Sequence, residues 1–577
     1  HESYPADQQR LYYKVEFKNK DVVRLSPLGI RRDDQSFVDS LSFISKSEVT
    51  TIDETYQLIH GKRSRCRNHA KEMALTFANN DGANLQLIAR AYNDGAAFRY
   101  RFPESDSAKY TVTEELTGFK IPQASSAYMQ PYDEISKWTP AYEDFYQKDL
   151  QIGAASPTTT GWCFPALFKL EEKHWLLLTE AEMDGSYCGT RLQQHAEGGL
   201  YKIRFPDPAE GNNVGAVNPV STLPWQTPWR VIMVGNSLAP IVESTLVTDL
   251  SAPSIVENTD WIKPGRVSWS WWSEQDSPQK IDRLLAFVDL AAEMNWEYSL
   301  VDANWNYMKA EKIEQLVAHA KEKGVGLIFW YNSGGPHNVV TEAPRDRMMP
   351  GEVRRKEFQW LRDLGAKGVK VDFFQSDKQN IMQHYLNILK DAADFGIMVN
   401  FHGCTLPRGW HRTYPHLMTM EGVRGAECYI FDERYPTRAP WHNTILPFTR
   451  NVVGPMDYTP VTFSDNNYPH ITSYGHELAL SVVFESGWIH LADRISAYSE
   501  LPDTVKNFLK TVQVAWDDTK YISGKPGKSA ILARRKGNEW YIGGINGMDS
   551  TLTESLGLPF LDEGEYEALL ITDGESD

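Results

Sequence analysis

Between Gly265 and Thr511 the chain alternates segments of strand length with segments of helical period, and this alternation limits the fold more than any other feature. Strand-like runs fall at Arg266 to Trp271, Tyr298 to Val301, Gly326 to Tyr331, Val369 to Phe373, Ile397 to Phe401, Leu417 to Met420 and Trp488 to Leu491. Amphipathic helices are predicted over Gln279 to Met294, Ala310 to Lys323, Gly351 to Leu364, Asn380 to Phe395 and Tyr474 to Glu485. About 245 residues of such alternation suit a single (β/α)8 TIM barrel, with Gly454 to Tyr458 as the expected seventh strand. A doubly wound open sheet is the competing arrangement. It is disfavoured because no Gly-rich phosphate loop follows the first strand.

The barrel does not account for the whole chain, since 577 residues exceed what one core supports. Before it lie short alternating segments such as Leu11 to Phe17, Glu72 to Phe77, Leu85 to Tyr92, Ala96 to Phe102, His174 to Glu180 and Trp229 to Val234. Turns of the type Asn80-Asp81-Gly82 and Asn93-Asp94-Gly95 separate them, which predicts a β-sandwich. A linker is expected over Leu238 to Pro264. After the barrel, runs at Ser529 to Arg534, Trp540 to Ile545 and Tyr566 to Thr572 predict a small β-sheet domain. The expected division is therefore 1–263, 264–512 and 513–577, a multidomain chain of mixed α and β structure.

A formal net charge of −17 without a basic stripe argues against nucleic acid as a partner. No apolar run reaches the roughly 18 residues of a membrane span. Cys66, Cys163, Cys188, Cys404 and Cys428 are scattered without metal or redox spacing, so they are expected to be reduced core residues. The chain opens on His1 rather than Met, which is read as a removed or trimmed leader.

The chemistry concentrates in Gly368-Val369-Lys370-Val371-Asp372-Phe373-Phe374, an apolar strand between two helices. Lys370 and Asp372 are two residues apart and so share a face, where a charge is costly unless paired or used. One reading is a structural ion pair; the other is a nucleophilic carboxylate at the carboxyl end of a barrel strand. Barrel chemistry sits at that end, and polar or aromatic groups fall there repeatedly: Trp271 and Trp272, Asp302, Asn332, Asp372, Asn400 and His402, Glu421 and Glu427. Buried polar groups must satisfy one another, so this accumulation reads better as an active-site cup than as structure. Two carboxylates, hydroxyl-binding groups and aromatic faces are what cleavage of a glycosidic bond requires. Glu180, ending the apolar run Leu176-Leu177-Leu178-Thr179, reads on its own as a solvated strand end.

Several motifs together resemble glycoside hydrolase family 97: Ala91 to Arg101, Gly368 to Phe374, Arg412-Thr413-Tyr414-Pro415, Glu421-Gly422-Val423-Arg424-Gly425-Ala426-Glu427 and Gly454 to Pro460. The resemblance implies a β-sandwich, a catalytic barrel and a small carboxy-terminal β-domain, and periplasmic or secreted residence. It also separates two mechanisms. Inverting α-glucosidases of the family carry a glutamate base after the Asn-Phe-His strand end, and this chain has Gly403 there. The retaining group, mainly α-galactosidases, carries an aspartate matching Asp372, with Glu427 as acid/base. Retention would place the two carboxyl groups roughly 5–5.5 Å apart, and Lys370 is expected to keep Asp372 ionised. The resemblance further implies calcium, held by Glu180, Glu421 and Glu427, the last marginally, since a cation there would lower the pKa an acid needs raised. Lys370, Asp302, Asn332 and His402 are candidates for gripping sugar hydroxyls, and Trp271 and Trp272 for stacking. The tail after Val512 is short for the family, so terminal strands are expected to be missing.

The expected function is thus a calcium-dependent retaining hydrolase of terminal α-galactosides acting on a glycoside or oligosaccharide. An inverting α-glucosidase, a β-L-arabinopyranosidase and a non-catalytic sugar-binding protein are the alternatives.

Overall fold

The computed structural model describes residues 10–171 and 174–574. The first nine residues, on which the leader expectation falls, lie outside them. The amino-terminal half forms two antiparallel sheets. One has five strands in the order Tyr12–Phe17, Lys20–Pro27, Gly118–Lys120, Leu200–Arg204 and Arg191–Leu192. The other, larger sheet is built around the long strand Gly95–Glu115. Their facing side chains, among them Val23, Phe119 and Ile203 from the first and Phe98, Leu176, Leu178 and Ile232 from the second, form a single core.

The strand Trp175–Ala181 is buried along its whole length because both faces are covered. Leu176 and Leu178 point into the sandwich core, while Trp175, Leu177 and Ala181 pack in a second core with barrel residues such as Trp269, Met418 and Trp488. An apolar run rather than an alternating one is what such a position demands. The expected linker is ordered. It carries two short helices, Ala239–Val242 and Leu246–Asp249, whose Ile241, Val242, Leu246 and Val247 enter that second core.

The barrel has seven parallel strands, in spatial order Leu417–Met420, Met398–Phe401, Gly368–Asp372, Gly326–Asn332, Tyr298–Val301, Gly265–Trp269 and Trp488–Leu491. The segment expected to be the seventh strand is not one. Gly454 takes φ 144°, Pro455 and Pro460 cannot donate to a ladder, and the segment is pinned by single bonds, Asp457 N to Met420 O at 2.9 Å and Met456 N to Glu485 O at 3.0 Å. The last strand reaches across towards the sixth through Gly487 N to Met418 O, 3.0 Å. Helices Ala310–Lys323, Gly351–Leu364 and Gln379–Phe395 each end on a glycine at positive φ, Gly324, Gly365 and Gly396, which returns the chain to the next strand.

The carboxy-terminal sheet has three antiparallel strands, Asp518–Lys525, Ser529–Lys536 and Glu539–Asn546. The predicted strand at Tyr566 to Thr572 does not form. It pairs with no described strand, and Leu569 and Leu570 are exposed. It is tethered instead by Asp573, which accepts from Ser473 Oγ at 2.5 Å and Gly475 N at 2.6 Å. All five cysteines are free and buried, and no described helix is long and apolar enough to cross a membrane.

Candidate active site

Asp372 closes the fourth barrel strand with its carboxylate fixed at both oxygens. Trp330 Nε1, from the third strand, donates to Oδ2 at 3.1 Å, and Phe373 N donates to Oδ1 at 2.9 Å. Phe373 and Gln375 both lie at positive φ, 69° and 55°. Non-glycine residues in this region are uncommon, and such strain collects at functional sites. Burial pushes the Asp372 carboxyl up to about 6, with Glu421 adding to it and Lys370 and His402 opposing. Lys370 therefore favours the ionised form, as expected, but burial outweighs it. Its direct partner is Asp302, Nζ to Oδ2 at 3.1 Å, and it sits 4.6 Å over the Trp269 ring. Trp269 Nε1 donates to the same Asp302 oxygen at 2.7 Å. Burial opposes the lysine's charge, yet Asp302, Glu427, Asp372 and Glu421 together hold its pKa above the ordinary value.

A second buried centre is Asp457, in the irregular segment that replaces the seventh strand. It accepts from Asn400 Nδ2 at 2.8 Å, His402 Nε2 at 2.6 Å and His490 Nδ1 at 3.0 Å. The other ring nitrogen of His402 lies 3.3 Å from Glu421 and 3.4 Å from Glu427. Burial works against charge on His402, but Glu421 and Asp457 raise its pKa well above the usual imidazole range. Glu421 Oε2 also accepts from Gly403 N at 2.8 Å, and despite burial its carboxyl is held low by His402, this amide and Lys370. Glu427 is the opposite case. Burial, with Glu421 next and Asp372 after the opposing Lys370 and His402, pushes it up to about 8, and its Oε1 is buried without a hydrogen-bond partner. Two titrating carboxyls with pKa values driven apart in one cup can divide acid and nucleophile roles between them.

His402, Glu421 and Glu427 offer ligand atoms within 4.8 Å of one another. Glu180 is not among them. It lies in register with Arg230 on the neighbouring strand and accepts from Arg230 at 2.6 Å, Arg408 at 2.6 Å and Thr190 Oγ1 at 2.6 Å and N at 3.0 Å. Those donors saturate its carboxylate, so it bridges sandwich and barrel as a structural ion pair rather than as a metal ligand. The sandwich instead sends Glu143 towards the cluster. Its carboxyl is raised by burial and by Glu421, Asp133 and Glu427, against Arg424. Nothing in the period or spacing of the sequence singles out Glu143, which lies within the loop between the strands Ser126–Met129 and Gln147–Gln151 rather than ending a strand.

Two further expectations change. Asn332 is fully buried and spends its amide on Val340 O, Glu342 O, Gly334 N and Asn338 Nδ2, at 3.2, 3.1, 2.9 and 3.0 Å, so it shapes the 333–344 loop and has no group left for a sugar. Trp272 is buried and donates to Ala426 O at 3.0 Å, bracing the segment that carries Glu427. Trp271 is half-buried, stacked on Trp269 with centroids 5.7 Å apart. Trp269, Trp330 and Asp457 were missed. The first two lie inside apolar strand runs that read as core, and the third lies in a segment read as a strand.

A cup of paired carboxylates at the carboxyl end of a parallel barrel, ringed by aromatics, defines a glycoside hydrolase. Family models match along the chain: Glycosyl-hydrolase 97 N-terminal over 3–253, Glycoside hydrolase 97 over 261–423, and Glycosyl-hydrolase 97 C-terminal, oligomerisation, over 515–577. The chain belongs to glycoside hydrolase family 97. It is 34% identical over 547 residues to a probable retaining alpha-galactosidase of Streptomyces bingchenggensis, covering 92% of this chain and 79% of that one. It is 27% identical to a retaining alpha-galactosidase of Bacteroides thetaiotaomicron, covering 98% and 88%. Among solved structures it matches a beta-arabinopyranosidase at 35% identity with a TM-score of 0.91, covering 94% and 88%.

Proposed function

We propose that this hydrolase removes terminal α-galactosyl residues with retention of configuration, through a covalent intermediate on Asp372. The observation that carries the reading is at Gly403. A Cβ on that residue would lie 2.8 Å from Asp372 Oδ1, so the fourth-strand carboxylate occupies the space a side chain at 403 would need. A side chain at that position and the Asp372 carboxylate where it now stands compete for the same space. With Asp372 at about 6 and Glu427 at about 8, near-neutral pH gives an ionised nucleophile and a protonated acid. Asp372 attacks the anomeric carbon while Glu427 gives its proton to the leaving oxygen. Glu427 then takes a proton from the water that releases the sugar. Lys370, held by Asp302, and His402, held by Asp457, supply positive charge beside the reacting centre and donors for sugar hydroxyls.

The same reading includes calcium. Lys370 and His402 each have a carboxylate of their own, Asp302 and Asp457, so Asp372, Glu421, Glu427 and Glu143 outnumber the cations that face them. The raised carboxyls, and a Glu427 Oε1 that makes no hydrogen bond and has His402 Nδ1 at 3.4 Å, suit a hard cation with oxygen ligands. Glu421, Glu427 and Glu143 would hold it, and when bound it would grip sugar hydroxyls and steady the acid-bearing loop.

The likeness to a beta-arabinopyranosidase supports a second reading, in which the glycone is β-L-arabinopyranose, the galactose ring without its hydroxymethyl group. Aryl glycosides of both sugars decide the glycone, and NMR of the first-formed anomer, with and without a chelator, tests mechanism and metal. Asp372→Gly is expected to abolish nearly all turnover, with azide, entering the vacated space, restoring part of it as a glycosyl azide of inverted configuration. A first product of inverted configuration from the parent enzyme would sink the proposal.

A further inference from the structure

Aromatic rings climb out of the cup on the acid's side. Trp269 is buried against Lys370 and Asp302, Trp271 stacks on it at 5.7 Å and 15°, and Phe431 follows at 6.0 Å and 43°, with 59% of its surface exposed. Phe431 ends a single helical turn, Cys428–Phe431, that begins immediately after Glu427. Its placement is imposed rather than incidental. Ile430 on one side is buried and accepts Asn467 Nδ2 at its carbonyl at 3.0 Å. Asp432 on the other side is buried and ion-paired to Arg424 and Arg434, the latter at 2.9 Å. With both neighbours anchored inward, the ring between them is held out at the rim.

A solitary exposed phenylalanine needs no explanation, but this one lies four residues from the proton donor. Residues at that spacing on a helix face are about 5–6 Å apart at Cβ, a distance of the order of one sugar ring. In a double displacement the nucleophile enters opposite the leaving group. The neighbours of Glu427, not those of Asp372, are therefore the neighbours of the aglycone. The other rim ring, Trp138 at 5.5 Å from Phe373, adjoins the nucleophile and falls on the wrong side.

We propose that Phe431, backed by Trp271, is the aglycone platform, which selects leaving groups presenting a flat apolar ring face, a second pyranose or an aryl group. This inference rests on Glu427 being the acid, as proposed above. The test is the ratio of kcat/KM for an aryl glycoside to that for the glycosyl fluoride of the same sugar, whose leaving group has no ring. In Phe431→Ala the ratio is expected to fall roughly 3- to 10-fold, the usual worth of one ring stack, and in Phe431→Trp to be kept. An unchanged ratio in Phe431→Ala, or an equal fall in Phe431→Trp, overturns the proposal. The ratio is measured on whichever glycone is turned over, galactosyl or arabinopyranosyl, so an error in the glycone or in the anomeric outcome leaves it readable. Failure of the acid assignment shows separately, as a Glu427→Gln variant that keeps activity on a methyl glycoside, whose poor leaving group cannot depart without a proton.

Discussion

Replacing Gly403 with alanine tests whether the space beside the nucleophile decides the mechanism. The new Cβ would meet Asp372 Oδ1 and Phe373 N at 2.8 Å and Phe373 Cα at 3.1 Å. The backbone on both sides is tied, since Phe374 N donates to Gly403 O at 2.9 Å and Gly403 N to Glu421 at 2.8 Å. The carboxylate is the softest of these neighbours and must yield by about half an ångström to regain normal contact. Gly403 also sits at φ 47°, where a side chain costs ~1 kcal/mol. That strain and the clash together lower Tm by about 2–4 °C per kcal/mol in a domain of this size. Activity should suffer far more. Misplacing a reacting group by a fraction of an ångström to 1 Å costs on the order of 100-fold, or about 2.7 kcal/mol in the barrier. The assay is kcat/KM on an aryl galactoside or arabinopyranoside beside a thermal melt of the same preparation. A Gly403→Ala enzyme within about threefold of the parent in kcat/KM would refute the steric argument.

Other outcomes follow from the charges. With calcium chelated, kcat/KM should rise as pH passes about 6, where Asp372 loses its proton, and fall as pH passes about 8, where Glu427 loses the proton it must donate; added calcium should move the falling limb to lower pH, and a limb that stays fixed would speak against a shared ligand. Glu143→Gln should weaken calcium binding in a titration read by calorimetry, whereas Glu180→Gln should leave the binding midpoint in place but take from Arg408 its hydrogen-bonded carboxylate, Arg230 keeping Glu115, costing about 3 kcal/mol and several degrees of Tm. Glu477 is buried in the first turn of the helix Tyr474–Val483, and its carboxyl is raised from 4.5 to about 8. The folded protein keeps that proton while the unfolded chain sheds it, so this contribution to stability is complete below pH 4.5 and is lost as pH rises towards 8. Glu477→Gln should therefore melt higher than the parent at pH 8 and lose that difference at pH 5.

Much of the scaffold could be read from the residues. Helices Ala310–Lys323 and Gly351–Leu364 were predicted at their observed limits, because a strong apolar stripe ends in each at a glycine able to take positive φ. Gly368–Asp372 was legible as a doubly covered strand for the same reason that it is informative, its uninterrupted β-branched character broken only by Lys370 and Asp372. What could not be read were positions whose meaning depends on a distant partner. Glu180 ends an apolar strand in the way a ligand might, and only the arrival of Arg230 and Arg408 identifies it as a structural charge. Asp457 gathers Asn400 and His402 from the end of one barrel strand and His490 from another, an arrangement without local signature. Tyr566 to Thr572 has strand composition, yet it joins neither outer strand of the carboxy-terminal sheet, and composition alone does not set a pairing partner.

The Arg230–Glu180–Arg408 bridge has an evolutionary consequence. Its charges belong to two domains yet share one dry interior, where the sandwich alone would set two carboxylates, Glu115 and Glu180, against the single Arg230 and leave one charge uncompensated at a cost of several kcal/mol. Such a joint resists shuffling: a recombinant that gave this barrel a foreign sandwich would need a carboxylate at the same spot or the loss of Arg408. The two halves should accordingly be inherited together, and sequence drift at any one member of the trio should be matched by compensating change at the others.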